Sequence, residues 1–459
     1  MFLEPVVNRR AFLQHVGAGV GMLGLANMLH ADAPRPTNPL APRQPHFPPK
    51  AKRLVHLFMN GGPSQVDTFD PKPALARYNG QRPQSANIRT ERGTAGLMMS
   101  PFRFDRCGQS GIEVSEVFPH LQKNADDLCV IRSMYTNVPN HEPSLLMMTC
   151  GDTQPIRPSF GSWLLYGLGA ENQNLPGFVV MSAGFPVVGP QLWSNSFLPG
   201  IYQGTHINNS NMSPQSVLRN INNPNLPPAA QRQQLELLQR FNGIHQQSRP
   251  GDAGLEARIQ SMEMAFRMQF EAQEVFDLAR ETQATRDLYG NSQFGNACLV
   301  TRRLLERGVR VVQLYTGGGQ PWDDHGDIAN HRVNARTVDQ PISALLTDLK
   351  RRGLLEDTLV LWGGEFGRTP TSEGARGRDH NNHGFTVWLA GGGVKGGHIH
   401  GTSDEFGFAA DTDKLHVHDL HATILHLMGI DHERLTFRYS GRDFRLTDVS
   451  GTVARGIIA

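Results

Sequence analysis

The side chains best suited to chemistry gather late in the chain, in the stretch 357–383. There a short apolar run, 359–362, gives way to two glycines and then to Glu365, Arg368, Asp379, His380 and His383. Carboxylates and imidazoles brought together are the ligands of a hard or borderline divalent metal. A second set follows Thr316: Asp323, His325, Asp327 and His331, the last two spaced to share one helical face. Eleven of the 19 histidines lie after residue 320, so the imidazoles concentrate where these carboxylates do. Further upstream, Asn140 and His141 precede Pro143 and an apolar segment closed by Gly151, the signature of a short helix. A helix amino terminus favours an anion, so the pair either receives one or merely caps the helix. In the loop 60–73, Asp67 is a further metal-ligand candidate. Ser64 is a nucleophile or a helix cap, although Pro63 precedes it and no glycine follows at the spacing of a nucleophile elbow.

Each set needs a rigid element behind it. Apolar runs at 53–59, 127–132, 308–316, 359–362 and 384–390 read as buried strands, and 297–307 and 335–352 as the helices between them. Strand, polar loop and helix in alternation predict a mainly parallel sheet, whose ligands bind outside the carboxyl ends of its strands. Apolar residues spaced by three to five across 229–290 predict a helical insertion that packs rather than reacts. His416, His418 and His421 around Asp419 read as structural, with Asp419 capping the helix 420–428. The glycine-rich loop 391–401 does not open a helix, which excludes a dinucleotide fingerprint.

The 459 residues carry a formal net charge of +2, so nothing points to nucleic acid. The four cysteines show no C-x-x-C spacing and are either two disulfides or four thiols packed as small hydrophobes. No apolar run reaches the length of a membrane span. The amino terminus is an address. Arg9-Arg10-Ala11-Phe12-Leu13, the mildly apolar run 16–29 and Ala31-Asp32-Ala33 together form a twin-arginine signal peptide over 1–33. A proline-rich linker follows at 34–50, then one domain over 51–459. The expected partner is the twin-arginine export machinery, and the expected destination is the periplasm or the exterior.

These motifs together resemble the exported bacterial family called domain of unknown function 1501, a sulfatase-like branch of the alkaline phosphatase superfamily. The resemblance rests on N-G-G-P-S-Q-V-D-T-F-D-P-K-P at 60–73, W-D-D-H at 322–325, G-G-E-F-G-R-T-P at 363–370 and G-R-D-H at 377–380. It also takes in H-D-L-H-A-T-I-L-H-L-M-G at 418–429. It implies a three-layer α/β sandwich with helices on both faces of the sheet. It also implies one or two divalent ions (Zn, Ca, Mg or Mn) that polarise a sulfate or phosphate ester of a small molecule or polysaccharide. Carried over by position, Glu365 replaces a metal aspartate and His380 or His383 supplies an imidazole. Asp323 with His325, or Asp327 with His331, supplies the other set, and Arg368 neutralises the anion. The chain also departs from sulfatases. Asn60-Gly61 stands where they place two acidic ligands, and His141-Glu142-Pro143-Ser144-Leu145 where they carry C/S-x-P-S-R. Attack then falls to His141 or to water. The alternative is a non-catalytic binding or surface-associated protein.

Overall fold

The computed structural model describes residues 39–84, 89–217, 228–247, 259, 263–264, 268 and 271–459. The twin-arginine segment, the start of the linker and much of the helical insertion lie outside these residues. Among the described residues, nine strands form one sheet: β1 (Arg53–Phe58), β2 (Leu128–Tyr135), β3 (Phe178–Ser182), β4 (Thr205–Asn208), β5 (Val311–Tyr315), β6 (Thr358–Gly363), β7 (Phe385–Ala390), β8 (His398–His400) and β9 (Leu415–His416). Their order is β8-β2-β7-β6-β1-β5-β3-β4, with β9 also paired to β2. Every pairing is parallel except the two made by β7. The exception has a simple cause. No crossover helix separates β6 from β7, so the chain turns back through the loop 364–384 and runs the other way.

Alternation along β1 divides the core. Val55 and Leu57 face α4 (Gln293–Glu306) and α5 (His331–Arg351), which contribute Leu299, Leu304, Leu345 and Leu349. Leu54 and Phe58 face the opposite layer of α1 (His141–Cys150), α2 (Phe160–Leu168) and α6 (Val417–Leu427). The helix α3 (Pro228–Gln247) lies in the stretch expected to form an insertion. The expected sandwich, a mostly parallel sheet with helices on both faces, is present. All four cysteines are free and buried, which settles the choice between disulfides and packed thiols. Among the described residues no helix is long and apolar enough to cross a membrane.

Registers bring the loops together. Phe58 pairs with both Tyr315 and Gly363, so β1, β5 and β6 end level, and Phe385 opposite Met134 places the start of β7 at the end of β2. Asn60 ties two of these loops, donating to the carbonyls of Gly317 (3.2 Å) and Gly319 (2.6 Å) while accepting from Thr316 (3.0 Å). Gly61 lies where the backbone of the next loop passes: a Cβ there would sit 2.6 Å from the Asp323 nitrogen, at a φ of +113°.

α1 is held at both ends. Asn140 is its extended N-cap residue and Gly151 its left-handed C-cap. His418 and His421 of α6 place their Nε2 atoms 2.8 and 2.9 Å from the carbonyls of Gly151 and Met148. α6 itself begins earlier than the expected 420–428, with a capping box in which His416 is the N-cap and Asp419 the reciprocal partner inside the first turn. Burial, with the His418 charge next, lowers His421 from the ordinary 6.5 to about 3, and burial does the same to His56 on β1. A folded pKa below the unfolded value gives stability that is complete above about pH 6.5 and is lost as pH falls toward 3. Each ring should cost on the order of 2 kcal/mol by pH 5. In thermal melts, the stability gap between wild type and His421→Gln should therefore narrow on acidification; a gap indifferent to pH would refute this account.

Candidate metal centre

The level ends of β1, β5 and β6, with the start of α1, deliver three histidines to one carboxylate. Asp323 Oδ1 lies 3.0 Å from His325 Nε2 and 3.3 Å from both His141 Nε2 and His380 Nε2. Ligand atoms of His141, Asp323 and His380 all fall within 4.8 Å of one another. Two neighbouring groups meet the same condition, Glu91 with Asp379 and His380, and His325 with Glu373 and Asp379. Each imidazole is gripped from behind. His141 Nδ1 lies 2.6 Å from Glu365 Oε1, His380 Nδ1 lies 2.6 Å from Glu91 Oε2, and His325 Nδ1 bonds Glu373. A carboxylate on Nδ1 keeps the proton there and turns the Nε2 lone pair forward, the usual outer partner of a metal-binding histidine.

The forward nitrogens crowd together. His325 Nε2 and His380 Nε2 face each other at 2.9 Å. Two lone pairs at that distance repel, so a proton or a cation belongs between them. The buried His141 Nε2 makes no hydrogen bond. Burial works against a charge on His141, yet Asp323 and Glu365 outweigh it and raise its pKa to about 9. Burial likewise opposes ionisation of Asp323, and the three imidazoles with Arg368 hold its carboxyl far below the usual carboxylate range. Asp323, with burial opposing and Glu373 assisting, raises His325. The residues fit a divalent ion, and three nitrogens with one oxygen suit zinc or another transition metal better than the oxygen-seeking Ca or Mg.

Several expected residues serve from outside this point. Glu365 is fully buried and reaches the centre through His141, its oxygens also accepting the Gly61 N–H at 2.9 and 3.2 Å. Arg368, expected to meet the anion, is fully buried as well. It donates to Asp323 (2.6 Å), to the Gly62 carbonyl (3.0 Å) and to the Gly61 carbonyl. Asp67 stands apart from all three groups because Arg378 claims it, at 2.7 and 3.2 Å. Ser64 donates to Asp67 at 2.5 Å and precedes a one-turn helix, so its hydroxyl is not turned to the centre as a nucleophile. His383 is exposed and belongs to none of the groups. Asp327 caps a short turn and pairs with Arg376, while His331 bridges Asp324 (2.6 Å) and the Ser64 N–H (2.9 Å). Asp379 accepts the backbone N–H groups of His380 (2.8 Å) and Arg92 (2.6 Å). Sequence reasoning missed Glu91 and Glu373. Glu373 sits in the same loop as Glu365, a proximity that could have marked it, whereas Glu91 comes from a loop with no periodicity or motif.

Fold and site thus define an α/β protein with a histidine- and carboxylate-rich centre, suited to a divalent ion, at the carboxyl edge of a mostly parallel sheet. Residues 51–458 match the family described as Protein of unknown function (DUF1501), and the chain belongs to that family. No curated protein sequence matches it significantly. Among solved structures it is similar to PsFucS1 sulfatase from Pseudoalteromonas sp., at 13% identity and a TM-score of 0.34 over 85% of this chain and 69% of that one. A protein of the alkaline phosphatase superfamily from Vibrio parahaemolyticus gives 11%, 0.35, 86% and 71%. A mutant of TAB5 alkaline phosphatase with Mg bound gives 9%, 0.33, 83% and 98%.

Proposed function

We propose that this chain is an exported, metal-dependent hydrolase of a sulfate or phosphate ester, carried by a small molecule or a polysaccharide. One observation carries the reading: three imidazole Nε2 atoms meet at Asp323, each with its Nδ1 held by a separate carboxylate. His141, Asp323, His325 and His380 would hold the ion, with Glu365, Glu91 and Glu373 fixing the rings. When bound, a divalent ion of this kind polarises an ester oxygen and lowers the pKa of water. Arg368 keeps Asp323 ionised and aimed. His141 stands where the family resemblance places a nucleophile, but its two nitrogens are turned to Asp323 and Glu365, which supports a ligand role and leaves attack to water. The arginine pair and apolar run at the amino terminus support export by the twin-arginine route.

Elemental mass spectrometry on protein purified without chelator, followed by aryl sulfate and aryl phosphate assays, tests this. The expected result is a stoichiometric transition metal and turnover of one ester class. Protein free of metal despite supply during expression would overturn the proposal. A second reading, a non-catalytic descendant that keeps the ion, is favoured by the absence of Ser, Thr or Cys at position 141. Stoichiometric metal with no turnover of either ester would decide for it.

A further inference from the structure

We infer that Arg92 receives the anionic group of the substrate at the rim of this centre; the inference rests on the metal-centre reading above. Arg92 follows Glu91, the residue that holds His380, and its own backbone N–H is anchored on Asp379 Oδ2 at 2.6 Å. Its Nη1 lies 3.2 Å from Glu373 Oε1, while the other oxygen of Glu373 holds His325. The guanidinium therefore stands one carboxylate away from a metal-facing imidazole. Its side chain is 54% exposed, and among the described residues its Nε and Nη2 make no hydrogen bond. Beside Glu373, two donors of a planar fork thus have no partner among the described residues, the geometry that takes two oxygens of a tetrahedral sulfate or phosphate group.

Three neighbouring arginines are already committed. Arg368 and Arg378 are wholly buried and direct their donors to backbone carbonyls, Asp323 and Asp67. Arg376, in the same loop as Glu373, is turned to Asp327 at 3.0 Å. Charge makes the assignment sharper. Glu91, Asp323, Glu365, Glu373 and Asp379 outweigh one divalent ion and the buried Arg368, so the centre repels an anionic ester unless another cation stands beside its path. No local pattern marks Arg92, which sits in a loop without a motif and far along the chain from the histidines.

The test is calorimetric titration of zinc-loaded protein, at low salt, with inorganic phosphate and inorganic sulfate. Arg92→Ala should weaken the anion that binds by about tenfold or more, with zinc stoichiometry and thermal midpoint unchanged. Arg92→Lys, which keeps the charge but not the fork, should fall between Ala and wild type. Arg106→Ala, which removes an exposed arginine from the hairpin 104–115, should bind as wild type does. The inference is overturned if Arg92→Ala binds as tightly as wild type, if Arg106→Ala loses as much, or if zinc-loaded wild type binds neither anion. A wild type that takes up no zinc strikes the metal-centre reading first, and the inference falls with it. Should Arg92→Ala lose zinc, Arg92→Lys decides alone: wild-type affinity would overturn the inference, and weakened binding with full zinc would support it.

Discussion

Asp323→Asn is expected to empty the centre of metal. The three imidazoles meet at this one carboxylate, and Arg368 is aimed at the same oxygen. Asparagine keeps the shape and removes the charge that outweighs the repulsion among three rings and a divalent ion. Losing an outer partner of a metal ligand typically costs 10–100-fold in affinity, so losing the shared ligand should cost more than about 100-fold. Competition with a coloured chelator reads this directly. Asp67→Asn is the instructive contrast. Asp67 and Arg378 are both fully buried and bound to each other, so breaking that pair should destabilise the fold by roughly 3 kcal/mol while metal stays in place. If Asp67→Asn lost metal and Asp323→Asn kept it, the site would have been drawn around the wrong aspartate.

The second large effect is on stability. Arg368→Met should shift the denaturant midpoint by the equivalent of roughly 3 kcal/mol, because it removes the wholly buried partner of an ion pair with the part-buried Asp323. It also strands the carbonyls of Gly61 and Gly62, which lie buried around the guanidinium and lose their donor with it. Arg368 binds the loop after β1 to the loop after β5 from its own place after β6, so the same change should loosen the metal. Arg368→Lys should rescue only part of either property, since an ammonium cannot serve two carbonyls and a carboxylate in one plane. A shift below about 1 kcal/mol for Arg368→Met would show that the loops are held by something else.

Much of the scaffold is legible in short stretches of sequence. Apolar runs of strand length recur at 53–59, 308–316 and 359–362 with helical spacing between them, and burial on both sides leaves such segments few alternatives to a parallel sheet. Asn140, Pro143 and Gly151 mark α1 by local backbone preference alone, and the helix begins at His141. What a local pattern cannot show is the reversal of β7, since direction depends on whether a helix intervenes, or the shift of the capping role from Asp419 to His416.

The chemistry divides along the same line. Carboxylates and imidazoles were bound to crowd the ends of neighbouring strands, because strand ends are set by composition over a few residues. Which of them meet is a matter of folding at long range. Glu365 stands behind His141 rather than beside Asp323, Asp67 belongs to Arg378, and Glu91 and Arg92 arrive from a loop that no motif marks. Those assignments turn on ångström distances between side chains hundreds of residues apart, and such distances follow from sheet register and packing.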